Sequence, residues 1–133
     1  MGEFQYKAGL NHVGSYQISS IPYMSSSIMA PIFSDTPLEI VFPSITKTVT
    51  VKNETSVGAA ARLLRFGISS NGVKNTNYIK LNNGEAFSLD IRVSKIYLIS
   101  DNSLTVEASV YAGLTGIENN NLPNNWSGSI GVG

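Results

Sequence analysis

The chain has 133 residues and nine basic against nine acidic side chains, which makes it neutral at pH 7 with a sequence pI near 6.6. Only 14% of its residues are charged, which argues against a nucleic-acid binder working by phosphate neutralisation and against electrostatic attachment to an anionic membrane. With no cysteine and a single histidine, His12, disulfides, thiolate chemistry and multi-histidine metal sets are excluded.

Short polar side chains fill the gap left by charge: Ser, Asn and Thr make up 39 of the 133 residues. These residues favour turns and strand faces and are poor in helix interiors. The hydrophobic share of 42% still argues for a packed core, and a weakly charged surface tends towards self-association. Apolar stretches such as 38–42 and 59–64 fall far short of the roughly 20 residues that span a bilayer. Residues 1–7 lack the apolar core of a signal peptide, and Tyr6 breaks the myristoylation pattern, so a cytoplasmic origin is expected.

Taken in chain order, residues 1–35 are polar and interrupted by Gly9, Gly14, Pro22, Pro31 and the run Ser25-Ser26-Ser27. Short extended pieces fit 14–19 and 23–29. Apolar side chains are scattered through the region, among them Phe4, Tyr6, Leu10, Tyr16, Ile18, Tyr23 and Met24. A free disordered tail would not carry so many. The region reads equally as an extended N-terminal arm or as one or two edge strands of the domain that follows.

Residues 36–117 form the readable core. Leu38 to Phe42 is bracketed by Pro37 and Pro43, so it is a short or edge strand. The stretch from Ile45 to Lys52 is β-branched, although Lys47 interrupts its apolar face. Ala59-Ala60-Ala61 is helix-friendly, but no amphipathic stripe extends around it, so a connection is expected. Further strands fit 62–69 and 77–82, and Asn82-Asn83-Gly84 is the strongest hairpin signal, leading into 87–93. In that segment Phe87, Leu89, Ile91 and Val93 alternate with Ser88, Asp90 and Arg92, the period of a strand with one buried face. Residues 95–100 follow, then a reversal at Asp101-Asn102-Ser103. The last strand, 104–112, is expected to turn Leu104, Val106, Ala108, Val110 and Ala112 inward. Such spacing implies an all-β antiparallel sandwich, jelly-roll or Ig-like, of about seven to eight strands with extended terminal arms. A small closed barrel would share the pattern.

Residues 118–133 are a Gly/Asn-rich tail holding the only tryptophan, and Trp126, Ile130 and Val132 are expected to anchor it to a surface, on this chain or another.

Little in the sequence points to catalysis. His12 has no accompanying nucleophile motif, and the chain lacks a phosphate-cradling Gly loop or a calcium loop. Asp90 and Glu107 would approach only if their strands pair, and Arg92 and Lys95 make solvated ion pairs the stronger reading. Asn53-Glu-Thr55 and Asn125-Trp-Ser127 match the glycosylation pattern by its letters alone. Exposed aromatics, Tyr78, Tyr97, Tyr111 and Trp126, fit a carbohydrate-binding face or, by preference, a contact with another subunit.

Three phrases carry a resemblance: Gly14-Ser-Tyr-Gln-Ile-Ser, Ile40-Val-Phe-Pro-Ser-Ile-Thr-Lys47 and Tyr111-Ala-Gly-Leu-Thr-Gly-Ile117. In these the chain resembles small virion structural proteins of tailed, marine-type bacteriophages, of the head-decoration or cement kind. The resemblance implies a non-enzymatic capsid-associated subunit located in the virion and assembled in the host cytoplasm. It would have no cofactor and no nucleic-acid or membrane partner, and it would bind the major capsid protein and further copies of itself, a trimer being favoured. The alternative is a receptor- or carbohydrate-binding module of a tail or fibre. The expected contact residues are Tyr6, Tyr16 and Tyr23 in the arm, Tyr97 and Tyr111 on the sheets, and Trp126, Ile130 and Val132 in the tail.

Overall fold

A computed structural model describes residues 21–118, 120, 122, 125–128 and 130–133. It holds eight strands: β1 (Ile21–Ala30), β2 (Leu38–Val41), β3 (Ser44–Asn53), β4 (Leu64–Gly67), β5 (Ile79–Leu81), β6 (Ala86–Leu89), β7 (Lys95–Ser100) and β8 (Val106–Glu118). One short helix, α1 (Ser70–Lys74), lies between β4 and β5. The strands make two four-stranded antiparallel sheets, ordered β1-β8-β3-β6 and β2-β7-β4-β5, packed as a sandwich.

The pairings follow one rule. β1 pairs with β8, β2 with β7, β3 with β6 and β4 with β5, so the chain is folded in half and its second half runs back along its first. The β3·β8 and β4·β7 ladders then knit these ribbons into two sheets. This is a jelly roll, which separates it from the Ig-like alternative and from a closed barrel. Of the eight described strands, only β4 and β5 are consecutive and share a sheet.

That topology changes the role of the expected hairpins. The Asn82–Gly84 turn forms, with the Glu85 amide on the Asn82 carbonyl at 2.9 Å and Gly84 at a φ of +74°. It nevertheless carries the chain from one sheet to the other, as does the reversal at Asp101. Turn chemistry dictates a change of direction, and the long strands β3 and β8 decide which edge the next strand joins. Asn83 fastens the turn to the preceding connection by donating to the carbonyls of Ala59 and Ala60 and accepting from the Arg62 amide.

Facing side chains close the core. Val49 and Val51 of β3 and Val106, Ala108, Val110 and Ala112 of β8 meet Ile40, Leu64, Phe66, Ile96 and Leu98 of the other sheet. Each large side chain so buried contributes about 1.5–3 kcal/mol. Leu104, expected to point inward, lies before β8 begins and is exposed. A smaller cluster of Ile45, Ile117 and Leu122 sits at one end.

β1 occupies residues 21–30 of the region that read as arm or edge strand, and it is an edge strand paired with β8. The expected extended piece at 14–19 lies outside the described residues. The serine run marks a bulge: the register shifts between Ser25 and Ile28, with Ser27 at a φ of +57°. The extra residue keeps Tyr23, Ile28 and Ala30 facing the core while Met24 and Met29 face out. Lys47 is handled the same way. Register shifts on either side of Thr46 remove it from the inward face that its sequence position assigns it. Among the described residues, no helix is long and apolar enough to cross a membrane.

Candidate functional site

Two places on the described surface combine exposed aromatic or apolar side chains with an ordered scaffold. The first is the outer face of the β1-β8-β3-β6 sheet. Tyr111 of β8 is opposite Met24 of β1 in the register, and both are exposed. Met29, 53% exposed, extends the apolar strip along β1, and Ile21, on the Tyr23 face at the start of the strand, is 54% exposed. The rest of the face is polar: Thr50 bonds Ser88 at 2.7 Å, and Ser109 donates to Glu54 at 2.7 Å.

β1 also differs from the other sheet margins. β2 and β6 have four residues and β5 three, short edges that offer little backbone for pairing. β1 has ten residues, carries no charged side chain, and has no described strand on its outer side. It is the one long, apolar edge among the described residues.

The second place is a depression of about 620 Å³ lined by Lys47, Asp90, Ile91, Arg92 and Trp126. It forms because β6 stops at Leu89, earlier than the alternating pattern through Val93 suggested. Thr46, fully buried, explains the stop. Its hydroxyl donates to the Ile91 carbonyl at 2.7 Å and accepts from the Val93 amide at 3.1 Å, while its own amide bonds the Val93 carbonyl. A side chain thus replaces the ladder, and residues 90–93 leave the sheet to cross to β7.

Trp126 reaches this depression from the tail. Asn125 is 1% exposed, and its amide accepts from the Ser94 amide at 2.9 Å and donates to the carbonyls of Ile68 at 2.5 Å and Lys95 at 2.7 Å. Both Asn125 and Trp126 sit in the left-handed region, with φ of +51° and +64°. Asn tolerates that conformation; a bulky residue there costs of order 1–3 kcal/mol, held in place by what surrounds it. The result turns the indole outward, 40% exposed, with its N–H on the Arg92 carbonyl at 3.1 Å.

The remaining expected contact residues fall apart rather than together. Tyr6 and Tyr16, like His12, lie outside the described residues. Tyr23 packs inward, edge-on to Phe42 at 5.1 Å. Tyr97 faces out from the opposite sheet to Tyr111 and donates to Glu39 at 2.7 Å. Partial burial, then that hydrogen bond and the carboxylate charge, push its phenol up to about 12. Ile130 is fully exposed and is not packed on any described residue, whereas Val132 is half-buried. Leu122 and Asn125 do the anchoring, together with Ser69, whose hydroxyl donates to the carbonyls of Val132 and Gly133.

Asp90 and Glu107 do not meet. β6 and β8 flank β3 instead of pairing, and the register puts Glu107 by the Asn53 end of β3 and Asp90 by the Val49 end. Lys95 pairs with Glu39 at 3.6 Å, not with Asp90. Lys47, Asp90 and Arg92 went unrecognised as site residues because only the bulge and the early end of β6 bring them beside Trp126. Among the described residues, no group of three or more His, Asp or Glu gathers to hold a metal. No protein-family model matches the chain, and no curated protein matches it in sequence.

Proposed function

We propose that this chain is a non-enzymatic structural subunit of a virion, a capsid-associated decoration or cement protein that binds neighbouring subunits through its sandwich and terminal segments. The observation that carries the assembly reading is β1: ten residues of edge strand, uncharged, with Ile21, Met24 and Met29 exposed along it. Such an edge is a template for pairing with another chain; single-chain proteins ordinarily blunt it with charge, proline, a bulge or brevity, and β1 carries Pro22 and the bulge at 25–28 but neither charge nor brevity. Residues 1–20, which precede β1 in the sequence, carry the apolar side chains Phe4, Tyr6, Leu10, Val13, Tyr16 and Ile18. The virion assignment draws on the resemblance in phrases such as Ile40 to Lys47 and on the jelly roll, an architecture that recurs in viral coats and in lectins; this part is fold-level analogy.

Light scattering across a concentration series tests the assembly reading. The full chain is expected to run as a trimer or larger ring, and Met24→Lys/Met29→Lys is expected to run as a monomer with an unchanged far-ultraviolet spectrum. A charge placed on an edge strand opposes strand addition without touching the core. A full chain that stays monomeric and fails to bind purified capsid shells refutes the proposal.

A further inference from the structure

We propose that Asn71 is the site at which the folded chain is modified by deamidation, and that docking of the tail controls how fast. Two Asn-Gly pairs occur in the sequence, Asn71-Gly72 and Asn83-Gly84. The pair is reactive because glycine puts no side chain beside the attacking nitrogen and leaves the backbone free to turn. The glycine amide nitrogen gives up its proton to base and attacks the asparagine Cγ, and the bond to the side-chain nitrogen breaks with loss of ammonia. Water then opens the succinimide ring to aspartate or isoaspartate. One water enters and one ammonia leaves, with nothing oxidised or reduced.

The fold treats the two pairs differently. Asn83 is pinned at both ends of its amide: Nδ2 donates to the carbonyls of Ser56, Ala59 and Ala60, and Oδ1 accepts from the Arg62 amide. The Gly84 nitrogen donates to the carbonyl of Asn53, a fully buried residue, at 3.0 Å. Reaction there requires the 82–85 turn and the 54–63 connection to come apart together. Asn71 is exposed, and its Oδ1 is held only from Asn75, also exposed, at 2.9 Å.

What restrains Asn71 lies on the nucleophile. The Gly72 nitrogen donates to the Ser69 hydroxyl at 2.9 Å, and that hydroxyl donates in turn to the carbonyls of Val132 and Gly133. Gly133 lies over the same nitrogen, so close that a Cβ built on it would be 2.7 Å away. The tail therefore orients the oxygen that holds the Gly72 N–H and covers the atom that must react. Undocking is a local event that releases Asn125 and Leu122 and leaves the main core intact. The product also feeds back on the cause. Isoaspartate adds a methylene to the main chain of a five-residue helix and shifts Gly72 off the Ser69 oxygen. The seat of Val132 and Gly133 goes with it, so a reversible undocking becomes a permanent release.

The full chain is incubated in mildly alkaline buffer and followed by peptide mass spectrometry at positions 71 and 83, with the urea-unfolded chain as reference. In the native chain Asn71 is expected to react ahead of Asn83 and behind its own unfolded rate. Asn125→Ala is expected to speed Asn71 roughly tenfold and leave Asn83 unchanged. Ser69→Ala, which removes the oxygen on the Gly72 N–H, is expected to speed it as well. Chain modified at 71 alone should show the red-shifted, acrylamide-accessible Trp126 of a released tail, and an unshifted emission overturns the permanent release. Asn83 reacting first, an Asn71 rate equal to the unfolded one, or a rate that neither substitution changes overturns the proposal. So does acceleration at both sites together, which traces to unfolding of the whole domain instead of the tail.

Discussion

The jelly-roll core and the tail that docks on it are held by opposite means. The core is apolar and extended in area: two sheets bury aliphatic and aromatic side chains face to face, and no single contact decides the outcome. The tail, 118–133, is rich in glycine and asparagine and, among its described residues, places only Leu122 in a buried apolar cluster. What holds it is a few polar side chains with every bond made: Asn125 inside the tail, and Ser69 and Ser94 on the domain. Apolar burial tolerates approximation, whereas a buried amide either has its partners or loses their full desolvation cost. The core therefore degrades gradually under substitution and the tail is released by a single change.

Phe42→Ala should have the largest effect. Phe42 is fully buried between the sheets and meets Tyr23 of β1 edge-on. Removing it leaves a cavity that rigid strands cannot fill, at a cost of about 3–5 kcal/mol, a large part of the total stability of a domain this size. Urea unfolding followed by circular dichroism should show the whole transition moving to lower denaturant. A loss below about 1 kcal/mol would mean that the β1–β2 corner repacks and that the core is less continuous than its contacts indicate.

The contrast also explains what could be read in advance. Alternation at 87–89 and 106–112 and the prolines around 38–42 report strands directly, because a half-buried sheet imposes its period of two on the chain. Sheet membership is not local information: Asn82-Asn83-Gly84 looks the same whether it closes a hairpin or carries the chain across the sandwich. Leu104 misled for a related reason, since its alternation continues into a reversal where no partner strand exists. The Trp126 depression was hidden more deeply. Its residues come from 47, 90–92 and 126, each with a plausible solvated role, and they converge through a buried threonine that ends β6 early. The visible trace was Lys47 on an otherwise apolar face, a conflict that a bulge resolves. Asn125 could be counted among many asparagines, yet nothing local marks it as the buried one.

Asn125→Ala sharpens the comparison from the tail side. Its three hydrogen bonds tie the tail to Ile68, Ser94 and Lys95, so truncation leaves one amide and two carbonyls without partners. The expected loss is about 1–3 kcal/mol, with the core still folding cooperatively. The distinguishing readout is Trp126: its emission should shift to the red and its quenching by acrylamide should rise while far-ultraviolet ellipticity is preserved. Unchanged emission would show that the indole holds its position through Arg92 alone.

Gly72→Ala makes the smallest change and the most pointed one. In isolation an alanine at the centre of α1 should favour the helix by roughly 1 kcal/mol, because glycine has more backbone freedom to lose. In this chain a Cβ at position 72 would lie 2.0 Å from the Val132 carbonyl oxygen, far inside contact distance. Either the end of the tail moves away or the helix is displaced, and Ser69 loses its bonds to Val132 and Gly133 in the first case. The Val132 clash exists only while the tail is docked, whereas the approaches to the Ser69 hydroxyl at 2.8 Å and the Asn77 Cβ at 3.1 Å persist without it, so the size of the effect should depend on Asn125. Gly72→Ala is expected to destabilise the native chain and to cost less when combined with Asn125→Ala, a coupling that a double-mutant cycle measures. Simple additivity would mean that residues 132–133 stay on α1 without Asn125, and the tail would then be two independent contacts instead of one cooperative strap.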